Sequence, residues 1–175
     1  MENLDFVKLL LERAIKRIYD EDEIFLINHK PNVVDNDTDA KEHVGERTSV
    51  FRIAYYFQNL LIENNCYSEL KVDCEYNRYY DGIKTFSGSK KGIVPDMVLH
   101  NRNNQNNNIL VCEFKGYWNN DSDKDKEKIE DLCSKEGMYR YKIGAFIKLN
   151  KESFEVTFFN CHVGWHKPSI IGITD

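Results

Sequence analysis

The stretch GIVPDMVLHNRNNQNNNILVCEFKG, residues 92–116, places Asp96, Glu113 and Lys115 inside or beside two apolar runs. An unpaired charge in an apolar setting costs several kcal/mol, so three of them there call for partners or a ligand. Side chains two apart on a strand share a face, roughly 6.6 Å apart along the chain. Glu113 and Lys115 therefore project together, while Leu110, Cys112 and Phe114 face the opposite way into a core. If the runs pair as an antiparallel hairpin around the Asn-rich connector, Asp96 falls opposite Glu113 and His100 opposite Ile109.

Two neighbouring carboxylates repel, and one is pushed towards protonation unless a cation lies between them. A hard divalent ion, Mg²⁺ or Mn²⁺, suits oxygen ligands with water completing its shell. A lysine beside it can orient water and neutralise charge that builds up during reaction. Such a set is equipped to attack a phosphodiester with water. Taken singly, Asp96 also reads as a strand end and Glu113–Lys115 as a solvated strand face.

Pro95–Asp96 followed, 17 residues after the Asp, by Glu113–Phe114–Lys115 resembles the PD-(D/E)xK nuclease superfamily. The upstream run GERTSVFRIAYYFQNLL, then KVDCEYNR, is similar to a bacterial subgroup of standalone proteins in that superfamily. The resemblance spans about residues 40–150. It implies an α/β, restriction-endonuclease-like fold, with a mixed central sheet flanked by helices. It also implies that Asp96 binds metal, that Glu113 binds metal or its water, and that Phe114 lends its backbone carbonyl. Lys115 would position the nucleophilic water, and Glu46 would reach the site from a helix. The implied activity is Mg²⁺- or Mn²⁺-dependent hydrolysis of nucleic acid, DNA first, with no covalent enzyme intermediate. Cutting both strands of a duplex usually takes two such sites, which makes a homodimer an expected arrangement. Two rivals stand beside this reading: a catalytically silent nucleic-acid- or protein-binding domain of the same fold, and a metal-dependent hydrolase of small phosphoesters.

Around the motif, Glu46 also reads as an acid placed favourably in a helix's first turn. Glu75 reads as a member of the acidic site or as part of a structural network with Arg78. The loop YYDGIKTFSGSKKG carries Lys84, Lys90 and Lys91 among glycines; with Arg78 these are the candidates for phosphate-backbone contact, and Tyr79, Tyr80 or Phe86 for base stacking. An ordinary solvated loop is the alternative. His162 and His166 are four apart, but Gly164 and Pro168 argue against a helix there and so against a zinc pair. Ser49 and Cys133 lack a base and an orienting partner for nucleophilic catalysis.

Positioning elements follow from periodicity. Leu4, Val7, Leu10, Leu11, Ala14 and Ile18 predict a helix over 3–19; Val50, Ile53, Ala54, Phe57, Leu60 and Leu61 predict another over 44–64. IFLIN is a short apolar run, and residues 30–43 read as a surface loop. Strands are expected in ELKVDCEYNRYY, GIVPDMVLH, NILVCEFKG, RYKIGAFIKLN and SFEVTFFN. Between the third and fourth, residues 121–136 read as a charged helix with a narrow stripe of Ile129, Leu132 and Cys133. That order predicts parallel pairing across the helix. The expected organisation is an N-terminal helix and connector, 1–39, packed on a nuclease-like core, 40–175.

A chain of 175 residues that is 41% hydrophobic, with 10 Phe and 10 Tyr, can bury a core in one domain. Its net charge of −5 argues against a simple basic nucleic-acid coat protein. Carboxylates gathered around metal raise the acidic count without repelling a polyanion once metal is bound. Five cysteines without a CxxC read as buried thiols in a reducing compartment. With no signal-like segment and no run near the ~20 apolar residues a membrane helix needs, a cytoplasmic protein free of the membrane is expected.

Overall fold

The computed structural model describes residues 3–22, 45–87, 89–102, 104–117, 119 and 122–173. IFLIN and the loop expected over 30–43 lie outside them. Helix α1 (Leu4–Glu21) starts at Asn3, whose side chain accepts a hydrogen bond from the Phe6 amide at 3.0 Å. It buries the expected stripe from Val7 to Ile18 together with Ile15 and Tyr19, with Leu4 only partly covered, and the Tyr19 hydroxyl donates to the carbonyls of Asn150 and Ser153. Helix α2 (Glu46–Glu63) buries its expected stripe plus Ser49 and Tyr56. Asp22 joins the two helices, taking hydrogen bonds from Arg52 at 2.8 Å and Tyr56 at 2.6 Å.

Strand β1 (Lys71–Cys74) is shorter than its sequence suggests. Glu75 has a φ of 50°, a left-handed conformation that breaks the extended run, and its amide turns to the Asp96 carbonyl. The continuation forms a separate small ladder of β2 (Arg78–Tyr79) and β3 (Gly82–Ile83). Next come β4 (Met97–His100), a 3₁₀ turn at Gln105–Asn107, and β5 (Leu110–Gly116). Helix α3 (Asp123–Cys133), β6 (Ile143–Leu149) and β7 (Ser153–Asn160) follow. The tail adds β8 (Gly164–Trp165) and β9 (Ser169–Gly172), both paired with β7. A strand at 164–165 leaves no helical spacing for His162 and His166.

Among the described residues the main sheet is mixed, in the order β1-β4-β5-β6-β7 with β8 and β9 along the outer side of β7. Strands β4 and β5 pair antiparallel with Met97 opposite Cys112 and Leu99 opposite Leu110, the register read from the hydrophobic pattern. Strands β5 and β6 pair parallel through α3. Alternation sorts the two faces. Met97, Leu99, Leu110, Cys112, Phe114, Ala145 and Ile147 pack with α1 and α2. Val98, Val111 and Phe146 pack with Ile129, Leu132 and Cys133 of α3. Among the described residues the fold is thus α/β, with three α-helices on a mixed sheet. Helix α3 lies close over β6 at Gly144, where an added Cβ would meet Ile129 Cγ2 at 2.1 Å.

Candidate active site

The C-terminal ends of β1 and β5 and the N-terminal end of β4 meet at one rim of the sheet, because each neighbouring pair runs antiparallel. Asp96 precedes β4 there, and its Oδ2 accepts the Phe114 amide at 2.8 Å. In an extended strand a residue's N–H and C=O point to the same edge, so the Phe114 carbonyl shares the edge facing Asp96. Glu46 comes over the rim from the first turn of α2, and its Oε2 accepts the Gly116 amide at 3.3 Å. The first turn of α2 also lines a cleft of about 210 Å³ with Val50, Cys74, Glu75 and Asp96. Glu75 stands on the cleft wall, bound to Arg47 at 2.8 Å.

Glu113 and Lys115 project to the α3 face. Glu113 is 1% exposed. Its Oε2 accepts from Lys128 Nζ at 2.5 Å, while its Oε1 is buried without a hydrogen-bond partner. Lys115 Nζ lies 2.7 Å from Asp125 Oδ2, and Lys128 Nζ lies 3.4 Å from Asp125 Oδ1. Two α3 side chains thus complete the set: Glu46, Asp96, Glu113 and Lys115 are joined by Asp125 and Lys128.

Burial pushes the Glu113 carboxyl well above its ordinary range, and the charge of Asp96 pushes it further. Burial also raises Asp96, with Asp125 adding to it, against the Phe114 amide and the two lysines. Burial raises Glu46, with Lys115 opposing and Asp96 assisting. For Lys115, burial acts downward but is outweighed by Asp125, so the ammonium is held more firmly than usual. Lys128 shifts upward for the same reason, with Glu113 as its main support. All three carboxyls shift upward chiefly because they are buried, and each also stands near another carboxylate.

The donor set fits a hard divalent ion. Asp96, Glu113 and the Phe114 carbonyl are all oxygen donors, and Glu113 Oε1 is an orphaned acceptor in a buried, negatively charged setting. Among the described residues no three His, Cys, Asp or Glu side chains stand in a ready-made ligand cage. Water would have to supply most of the ion's shell, as is usual for Mg²⁺.

The basic loop divides. Lys84 does not offer its charge to a ligand: it is 1% exposed and donates to the carbonyls of Tyr76 at 3.0 Å and Arg78 at 2.8 Å. Its ammonium lies 4.4 Å from the Tyr76 ring, and burial lowers its pKa to about 8. This corrects the expectation of a phosphate-binding lysine; the loop needs an internal cation to hold its own carbonyls together. Arg78, Lys90 and Lys91 are exposed. The loop bearing Lys90 and Lys91 leans on α3 through the Ser87 amide and Asp131, roughly 9 Å along the helix from Asp125. Among the described residues, Arg78, Lys90 and Lys91 make no contact with the carboxylates.

Asp125 and Lys128 were legible in one respect. Counting back four residues from Ile129 and Leu132 lands on them, so the buried stripe of α3 continues into charge. Charges in phase with a core stripe indicate a polar site beneath the helix. Compared with protein-family models, curated proteins and solved structures, the chain finds no match in any of the three.

Proposed function

We propose that this chain is a metal-dependent phosphodiesterase of the restriction-endonuclease-like, PD-(D/E)xK type, acting on nucleic acid and most naturally on DNA. The observation that carries the reading is the buried Glu113 with an unpartnered oxygen, beside Asp96 and in line with Lys115 on one strand. Asp96, Glu113 and the Phe114 carbonyl would hold Mg²⁺ or Mn²⁺, with Glu46 reaching in from α2. The chemistry such an ion supplies when bound is acidification of water and neutralisation of phosphate charge. Lys115, kept cationic by Asp125, orients the attacking water and offsets charge gathering on the phosphoryl oxygens. Asp125 fixes where that ammonium sits, and Glu46 anchors the end of β5 through the Gly116 amide.

One observation favours the second reading, a non-cutting binding domain of the same fold. Lys128 already neutralises Glu113, so the carboxylate has a cationic partner without metal. Incubating purified protein with plasmid, linear duplex and single strands, with Mn²⁺ or with EDTA, decides between them. Metal-dependent cutting that is lost in Asp96→Ala supports the nuclease; no cutting of any substrate sinks it.

A further inference from the structure

Burying a carboxylate is tolerated when a cation partners it and is strongly destabilising when that cation is removed. Glu113 has one such partner, Lys128, one helical turn beyond Asp125 on α3. Resting on the metal-site reading above, we propose that Lys128 is a resident counter-cation. Its ammonium occupies the place next to Glu113 that a divalent ion would take, so the Lys128–Glu113 contact and metal binding exclude one another.

Three observations support this. The contact uses one Glu113 oxygen and leaves the other bare, so the lysine satisfies the charge but only half of the acceptor capacity. Lysine is a compact charge on a flexible four-carbon stem, able to leave without moving the backbone. A second acceptor already awaits it: Asp125 Oδ1 stands 3.4 Å from the same nitrogen, and the Lys128 side chain is 19% exposed. Lys115 holds the other oxygen of that carboxylate, Oδ2, so Asp125 can receive the withdrawn lysine while still anchoring Lys115.

The test uses Mn²⁺ alone, with calorimetric binding and thermal melting of the full chain. Lys128→Met is expected to bind Mn²⁺ at least tenfold more tightly than wild type, to melt lower without metal, and to recover with saturating Mn²⁺. Lys128→Gln keeps a hydrogen-bond donor without the charge; it carries the same expectation and serves if the Met variant does not fold. Lys124→Met removes one charge from an exposed position of the same helix and is expected to change Mn²⁺ affinity less than twofold. If wild type binds Mn²⁺ and the Lys128 variants bind it no more tightly, the exclusion is wrong and the metal site stands. An equal gain in Lys124→Met would reduce the effect to bulk charge and overturn the proposal. If no form binds Mn²⁺, both the exclusion and the metal site fall.

Discussion

Lys115 Nζ stands 2.7 Å from Asp125 Oδ2, so the lysine of the strand motif is held by a carboxylate from the next helix. This pairing separates two roles. Lys115→Ala is expected to abolish cleavage while the melting temperature stays within a few degrees of wild type. Asp125→Asn leaves the ammonium present but unanchored, and kcat is expected to fall roughly 10- to 100-fold with little change in KM. A wild-type rate in either variant rejects the role given to that side chain.

Metal binding by the folded state alone must raise stability. At a concentration about 100 times Kd, Mn²⁺ is expected to add about 2.7 kcal/mol, read as a rise in melting temperature that EDTA reverses. Asp96→Asn and Glu113→Gln should show no such rise. An undiminished rise in both would place the ion elsewhere.

Lys84 and its neighbours Lys90 and Lys91 are expected to fail in different ways. Lys84→Ala removes a buried donor from two carbonyls and is expected to cost about 2–4 kcal/mol of stability, with DNA affinity unchanged in the folded fraction. Lys90→Ala with Lys91→Ala should leave stability within about 0.5 kcal/mol and weaken DNA binding with a shallower salt dependence. Weakened binding by folded Lys84→Ala would restore a ligand role to that lysine.

Asp22 gives a dependence on pH whose sign is fixed. Burial alone would raise its carboxyl, but hydrogen bonds from Arg52 and Tyr56 outweigh burial and hold it below the ordinary 3.8. The folded state binds this proton less readily than the unfolded chain. Its contribution is complete above 3.8 and is lost as pH falls through the lower folded value. Asp22→Asn is expected to be less stable than wild type at pH 7, by about 1–3 kcal/mol, with the gap closing as pH falls well below 3.8. A gap of equal size at both pH values would remove the charge from the explanation.

At Gly144 an alanine Cβ would meet Ile129 Cγ2 at 2.1 Å and Cys133 Sγ at 3.2 Å. Gly144→Ala is expected to cost about 1–3 kcal/mol. Because α3 carries Asp125, cleavage should fall more steeply than stability. An alanine variant with both unchanged would mean that α3 can lift off β6 freely.

The central strands were legible because they are buried on both faces and so read as near-continuous apolar runs, and the connector between two of them fixed the hairpin register from Met97 to Cys112. β8 is only two residues long and β9 is short and largely exposed, so no hydrophobic pattern marks either of them. The break at Cys74 came from Glu75, a residue with no special claim to a positive φ. Lys84 misled because lysine is usually solvated, and only the closed loop shows that its charge is spent on backbone carbonyls. Asp125 and Lys128 were masked by composition: in a helix rich in both signs, only their phase with Ile129 and Leu132 sets the two that point inward apart from the rest.

The parallel pairing of β5 with β6 has a consequence for a chain emerging from the ribosome. The β4–β5 hairpin is local and can form early, which brings Asp96 to Glu113. The side chains that tether Lys115 and cover Glu113 ride on the crossover helix, which is pinned in place only once β6 docks beyond it. Until that late, long-range step, the carboxylates lack their helical cover, so an incomplete nascent chain would be without the assembled cluster of Asp96, Glu113, Lys115, Asp125 and Lys128.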